Sequence, residues 1–219
     1  MKIKNTLDDI IAERFTDSLI MGNYHMGDTI LVNDLVETYG VSRTPVMQAL
    51  AKLSTQEILE KGASGKYRLP VYTQKDIDDI CKARIMFEET AIKEIFASEE
   101  KRQEVLKKLQ VYEKRCVKAL AEADYLEFSK QDLNFHRSMV EAIGNSVITS
   151  LYLNVQGKFI IANYLAFPLM KRKFEKTIQE HELLLKELES GTLEETKETI
   201  RAHIYQVTEI IRELKLLEE

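Results

Sequence analysis

Asp132, His136, His181 and His203 are the side chains of this 219-residue sequence whose types and spacing can hold a metal ion. In Asp132-Leu133-Asn134-Phe135-His136 the two ligand types stand four residues apart, so on a helix they share one face. His181 lies ten residues before Gly191 and His203 twelve residues after it. If Gly191 turns an antiparallel helix pair, a rise of about 1.5 Å per residue puts both imidazoles at nearly the same height. Imidazole nitrogen and carboxylate oxygen suit Zn, Mn, Ni or Fe, and no thiolate narrows the choice. A second reading of the same residues stands beside this one. Helical histidines are commonly surface or hydrogen-bonded residues, and Asp-x-x-x-His is a frequent helical pair.

A different chemistry is written into Gly40-Val41-Ser42-Arg43-Thr44-Pro45. Apolar residues recur at helical spacing upstream from Ile30 to Tyr39, and downstream at Val46, Leu50 and Leu53. Gly40 marks the turn between two helices, Ser42 is an expected N-cap, and Pro45 falls in a first turn where a missing N–H costs little. Helix, glycine turn and a polar, basic helix start are the grammar of a helix-turn-helix. Leu7 to Met21 forms an amphipathic helix ahead of it, closed by Gly22-Asn23 and a further turn at Gly27-Asp28. Behind it, residues 58–70 read as two short strands joined by a glycine hairpin, with Lys61, Lys66 and Arg68 around the tip. That hairpin is a wing.

The elements that must position the metal-type residues begin at Thr73, where the texture changes to long amphipathic helices rich in Glu and Lys. Six helices are expected. They run from Thr73 or Gln74 to about Ala97, from a Ser98 cap to about Ala123, and from Asp124 to Ile143 before Gly144-Asn145. The rest run from Ser146 to about Ala166, Leu169 to Glu189, and Thr192 to Leu217. Ser190-Gly191-Thr192 supplies a C-terminal glycine and an N-cap threonine, so the last pair is expected to form an antiparallel hairpin. The predicted fold class is therefore mainly α: a winged helix-turn-helix with a small β-hairpin over residues 1–72, and an all-α helical bundle over residues 73–219.

Composition limits the function. The net charge of −5 argues against indiscriminate nucleic-acid binding, and residues 1–72 carry slightly more acidic than basic side chains. DNA contact must come from locally clustered charge, doubled by dimerisation. No N-terminal basic region precedes an apolar core, and no apolar run approaches the roughly 18 residues of a membrane span. A cytoplasmic location without membrane attachment is expected. Cys81 and Cys116 stand alone, without metal-type spacing, and read as reduced structural thiols.

Residues 7–70 resemble the winged helix-turn-helix of the GntR family of bacterial transcription regulators. The resemblance implies that Arg43 and Thr44 contact bases and phosphates of double-stranded operator DNA, with Ser42 on a phosphate and Gly65 and Lys66 at the wing tip. The family usually has Arg where this sequence has Met47. A thioether makes no bidentate contact to guanine, so Met47 reads a different base or packs on thymine methyl groups. Residues 74–217 resemble the FadR-type C-terminal domain (FCD) in its metal-binding version, which carries Asp-x-x-x-His and two later histidines. This implies that Asp132, His136, His181 and His203 bind a divalent metal such as Zn, Ni or Mn.

In that domain an Arg of the first helix pairs with an effector carboxylate, a role that Ala83-Arg84-Ile85-Met86-Phe87-Glu88 implies for Arg84. A planar fork of donors suits a carboxylate, and a small organic-acid effector is expected. Arg84 is equally placed to pair with Glu88 on a solvated face. Glu180 reads as a surface residue or one standing behind the ligands. Phe159, Tyr164 and Phe167 suit either a cavity lining or plain core. The resulting expectation is a ligand-responsive repressor, not an enzyme, that binds a palindromic operator as a homodimer. Two other readings compete. One is a hydrolase-like metalloenzyme, although no separate base or nucleophile stands out; the other is a helical adaptor that has lost DNA binding, given Met47 and the acidic balance.

Overall fold

The computed structural model describes residues 6–164 and 171–213. Phe167, Pro168 and the expected ends at Ala166, Leu169 and Leu217 lie outside them, as does the side chain of Tyr164. The chain begins with α1 (Leu7–Ile20), β1 (Thr29–Ile30), α2 (Val32–Tyr39), α3 (Arg43–Thr55), β2 (Glu60–Lys61) and β3 (Tyr67–Arg68). It continues with α4 (Gln74–Ile95), α5 (Glu99–Ala121), α6 (Tyr125–Glu141), α7 (Ser146–Tyr164), α8 (Lys171–Ser190) and α9 (Leu193–Glu213).

The turn between α2 and α3 follows from Gly40, whose φ of 63° is the left-handed conformation that closes a helix; its N–H donates to Val36 O at 3.0 Å. Ser42 occupies the N-cap position of α3 with extended backbone, but its side chain makes no capping hydrogen bond. It stays exposed beside Arg43 and Thr44. Glu57 takes a positive φ of 58°, so the chain leaves α3 after Thr55 and turns into the wing.

The wing is a three-stranded sheet in the order β1-β3-β2, not a two-stranded hairpin. β3 pairs antiparallel with β2, and also with β1 through Thr29↔Arg68 and Ile30↔Tyr67. Ile30 fits the helical period of α2, but long-range pairing takes it into the strand, where it is buried with Phe15, Leu35, Leu50 and Tyr67. Backbone ladder and burial outweigh a weak local preference here.

Local signals define the helical half. Thr73 and Asp76 form a capping box on α4, Ser98 accepts from Lys101 N at 3.2 Å, and Asp124 accepts from Glu127 N at 2.9 Å. Thr192 and Glu195 cap α9 reciprocally. Gly191 allows α8 to turn back, because a Cβ there would lie 2.8 Å from Glu187 Cα. A core of Ile77, Ile92, Leu109, Phe135, Leu184, Ile200 and Ile204 fills the space between α4, α5, α6, α8 and α9. Cys81 and Cys116 are buried in it. Among the described residues no helix is long and apolar enough to cross a membrane.

Candidate metal centre and DNA-contact face

α6 presents Asp132 and His136 one turn apart, while the α8–α9 hairpin brings His181 and His203 against them. One ligand atom from each of these four residues falls within 4.8 Å of all the others. His136 Nε2 lies 3.0 Å from His203 Nε2, and Asp132 Oδ1 lies 3.4 Å from His181 Nε2 and 3.8 Å from His136 Nε2. His136 and His181 are fully buried. The ring of Phe135 lies flat against that of His181, with centroids 4.1 Å apart, which limits its tilt.

Each imidazole is held from behind by a carboxylate. His136 Nδ1 is 2.7 Å from Glu88 Oε2 on α4, His181 Nδ1 is 2.7 Å from Glu113 Oε2 on α5, and His203 Nδ1 is 2.8 Å from Glu180 Oε2 on α8. A carboxylate accepts only from a protonated Nδ1, so each neutral ring carries its lone pair on Nε2, turned inward. Burial drives the His136 imidazole down to about 4, against the pull of Glu88. Burial likewise pushes His203 below the usual histidine range, although Glu180 acts the other way.

The chemistry of these residues fits a cation. With Nδ1–H turned to the carboxylates, the His136 and His203 Nε2 lone pairs face each other 3.0 Å apart, an opposition that a shared proton or a bound cation relieves, and Asp132 Oδ1 and His181 Nε2 are buried with no hydrogen-bond partner. Burial disfavours the charged form of Asp132, but the surrounding imidazoles and Arg84 hold its carboxyl below its ordinary range. Three nitrogens and one carboxylate oxygen form a donor set for a borderline divalent ion.

Arg84 departs from the expectation of a pair on a solvated face. It does pair with Glu88, with Nε 2.6 Å from Oε1, but the pair is fully buried instead of solvated. Glu88 also accepts from Tyr152 Oη at 2.8 Å, so one carboxylate ties Arg84, Tyr152 and His136 together. The Arg84 guanidinium lies 4.1 Å from the Phe159 ring centroid, and its Nη2 is buried without a partner. Sequence reasoning left Glu113 and Tyr152 unnoticed, and saw Glu88 only as a surface partner of Arg84. Their proximity to the histidines is purely tertiary. Glu180, adjacent to His181, is the exception that local position hinted at.

At the other end, α2, α3 and the wing enclose an open cleft of about 400 Å³ lined by Asn33, Arg43, Met47, Ser64, Gly65 and Lys66. Ser42, Arg43 and Thr44 project from the start of α3, and Gly65 turns the wing tip with φ 77°. Met47 is half-buried at the edge of the core. Asn33, which the sequence did not single out, accepts from Arg43 Nη1 at 2.8 Å and steadies that long side chain. Of the wing cations, Arg68 is neutralised by Glu60 at 2.7 Å, and Lys61 lies over the Tyr67 ring.

The chain is thus a winged helix-turn-helix joined to a helical bundle in which three histidines and Asp132 converge. The family described as bacterial regulatory proteins, gntR family, matches residues 7–62, and the FCD domain matches residues 79–206. The chain belongs to the gntR-family regulators that carry an FCD domain, which are transcription regulators and not enzymes. It is 28% identical to the gluconate operon transcriptional repressor of Bacillus licheniformis, across 78% of this chain and 71% of that protein. It is 24% identical to the HTH-type transcriptional regulator YdhC of Bacillus subtilis, across 83% and 80%. Among solved structures, E. coli McbR/YncC superposes with a TM-score of 0.80 at 16% identity, covering 97% of this chain and 100% of that one. A GntR regulator of Rhodococcus sp. RHA1 gives 0.73 at 16% identity, covering 94% and 97%. At these identities the solved structures speak for the fold alone.

Proposed function

We propose that this chain is a cytoplasmic, ligand-responsive repressor that binds a palindromic operator as a homodimer. In this reading residues 1–72 read DNA and residues 73–219 sense a small organic acid beside a divalent metal. The observation that carries the sensing half is the cage: four ligand atoms converge within 4.8 Å, and a carboxylate holds each imidazole at Nδ1. A structural helix pair has no need of three such supports. Asp132, His136, His181 and His203 hold the ion, with Zn, Ni and Mn as candidates. When bound, the ion supplies a Lewis-acid position for an effector oxygen. Arg84 presents its unpartnered Nη2 to the effector carboxylate, while Glu88 and Phe159 fix the guanidinium.

On DNA, Arg43 reads a base edge, Ser42 and Thr44 engage phosphates, and Gly65 and Lys66 bring the wing to the backbone. Met47 offers an apolar contact suited to a thymine methyl. An effector that prefers one dimer arrangement changes DNA affinity by that preference, typically about 1–3 kcal/mol. Repression is the proposed direction because two relatives are named as repressors.

The test is to select duplexes from a random pool with the purified protein, then measure their affinity against salt. A palindromic consensus with a steep salt slope is expected, and the absence of any sequence preference at moderate salt refutes the DNA half. Elemental analysis of the same preparation, with Asp132→Ala as control, decides the metal half.

A further inference from the structure

α6 and α7 each face two ways. On α6, Lys130 and Asp132 are two residues apart, about 200° around the helix. Asp132 points into the cage, while Lys130 Nζ reaches α1, 3.0 Å from Glu13 Oε1 and 3.0 Å from Asp17 Oδ1. On α7, Phe159 and Ile161 are likewise on opposite sides. Phe159 lies under the Arg84 guanidinium, while Ile161 is buried in the core of the winged helix with Phe15 and Leu53.

The contact between the halves is close and shaped. Ile20 of α1 packs with Ile160 of α7 and with Leu126 and Leu133 of α6. Gly157 fits against the end of α3 so tightly that a Cβ there would lie 2.8 Å from Gln56 O and 2.9 Å from Ile58 Cγ1. Lys158 pairs with Glu57 at the same junction. The winged helix is therefore docked on α6, which carries Asp132 and His136, and on α7, which covers the Arg84–Glu88 pair behind His136. Movement of either helix is passed to α1 and α3, because packed side chains interdigitate instead of deforming continuously.

We propose that Lys130, bridging Glu13 and Asp17, is the clasp through which α6 couples occupancy of the cage to the position of the DNA-reading helix. The proposal rests on the regulator reading above. A ligand drawn onto Asp132 and His136 shifts or stiffens α6, and the clasp on its far side carries that change to α1, which packs on α3. Without the clasp, both sites keep their own chemistry and lose the share of their linkage that α6 passes through Lys130.

The experiment uses the full-length protein, stripped by a chelator or loaded with Zn²⁺, and a duplex selected by the wild-type protein from a random pool. DNA affinity is measured in both states for wild type, Lys130→Met, Lys130→Arg and the double variant Glu13→Gln with Asp17→Asn. The wild type is expected to change affinity on loading by a factor within about 5–150, the usual span of coupling. Lys130→Met and the double change Glu13→Gln with Asp17→Asn are expected to lower that factor about two- to fivefold with Zn²⁺ affinity unchanged, and Lys130→Arg to restore it. The double variant opens the contact from α1, so the test stands even if Lys130→Met fails to fold. Variants that keep the wild-type factor overturn the clasp, and so does a wild-type factor of 1, with DNA and metal binding left standing. Failure of the wild-type protein to select any duplex overturns the regulator reading and the clasp with it.

Discussion

The two ends of this molecule hold their functional side chains in opposite ways. Around the α2–α3 turn, Ser42, Arg43, Thr44 and Lys66 are exposed, and Asn33 lends Arg43 a single hydrogen bond. In the cage, every imidazole is buried or nearly so, and each is locked by a carboxylate from another helix, which for His203 is the partner helix of its own hairpin. A surface that meets a hydrated, flexible polymer can finish ordering its side chains on contact. A buried cage must be built in advance, since an unpaired polar group away from water is costly. Changes at the first end should therefore cost binding, and changes at the second should cost folding.

The sharpest way to break that contrast is Glu88→Ala, which strands the buried Arg84 and His136 together. A loss of about 3–5 kcal/mol in urea unfolding is expected. A loss below about 1 kcal/mol would mean that the cage is not pre-built. Next in size is metal removal. Chelation of protein saturated at about 100 times the Kd should lower unfolding stability by about 3 kcal/mol, and His181→Ala should abolish that difference. Calorimetry with and without chelator checks both.

Arg43→Ala should weaken selected duplexes by about 1–3 kcal/mol while stability stays within about 0.5 kcal/mol of wild type. Equal losses of binding and stability would erase the contrast. Asn33→Ala should cost less, about 0.5–1.5 kcal/mol, and should appear as poorer discrimination at the base proposed to meet Arg43. The salt slope should not move, since no phosphate contact is removed.

The finest test is pH. In metal-stripped protein the His136 pKa is about 4 when folded and near 6.5 when unfolded. The unfolded chain therefore binds the extra proton first. Stability should be full above about pH 6.5 and decline as pH falls toward 4, more steeply in wild type than in His136→Gln. Parallel acid profiles for the two proteins would show that His136 is not held neutral.

The contrast also explains which features could be read from residues alone. Gly40, Thr73, Ser98, Asp124 and Thr192 act within one helical turn, and each stands where its type predicts. Ser42 holds its predicted position but makes no capping bond, leaving its hydroxyl exposed. β1 was missed because Ile30 obeys the helical period of its neighbours, and its partner Tyr67 is 37 residues away in the chain. Arg84 shows the limit most clearly. Its i,i+4 spacing to Glu88 was visible, but whether that pair faces water or the core depends on α7, which covers it with Tyr152 and Phe159.

Sequence by itself determined the parts that local rules govern: a helix-turn-helix with a wing, a helical second half, a hairpin at Gly191, and four metal-type residues in workable register. Helical periodicity and capping are short-range, so they survive without knowledge of the fold. Tertiary structure alone decided that Glu88, Glu113 and Glu180 stand behind the three histidines, that Arg84 is buried, and that α6 meets the cage on one side and the winged helix on the other, with α7 between the winged helix and Arg84. Those facts depend on which helices become neighbours. Packing settles that through hydrophobic contacts spread over the whole chain, and His136 and Glu88, 48 residues apart, carry no mark of it in their own surroundings.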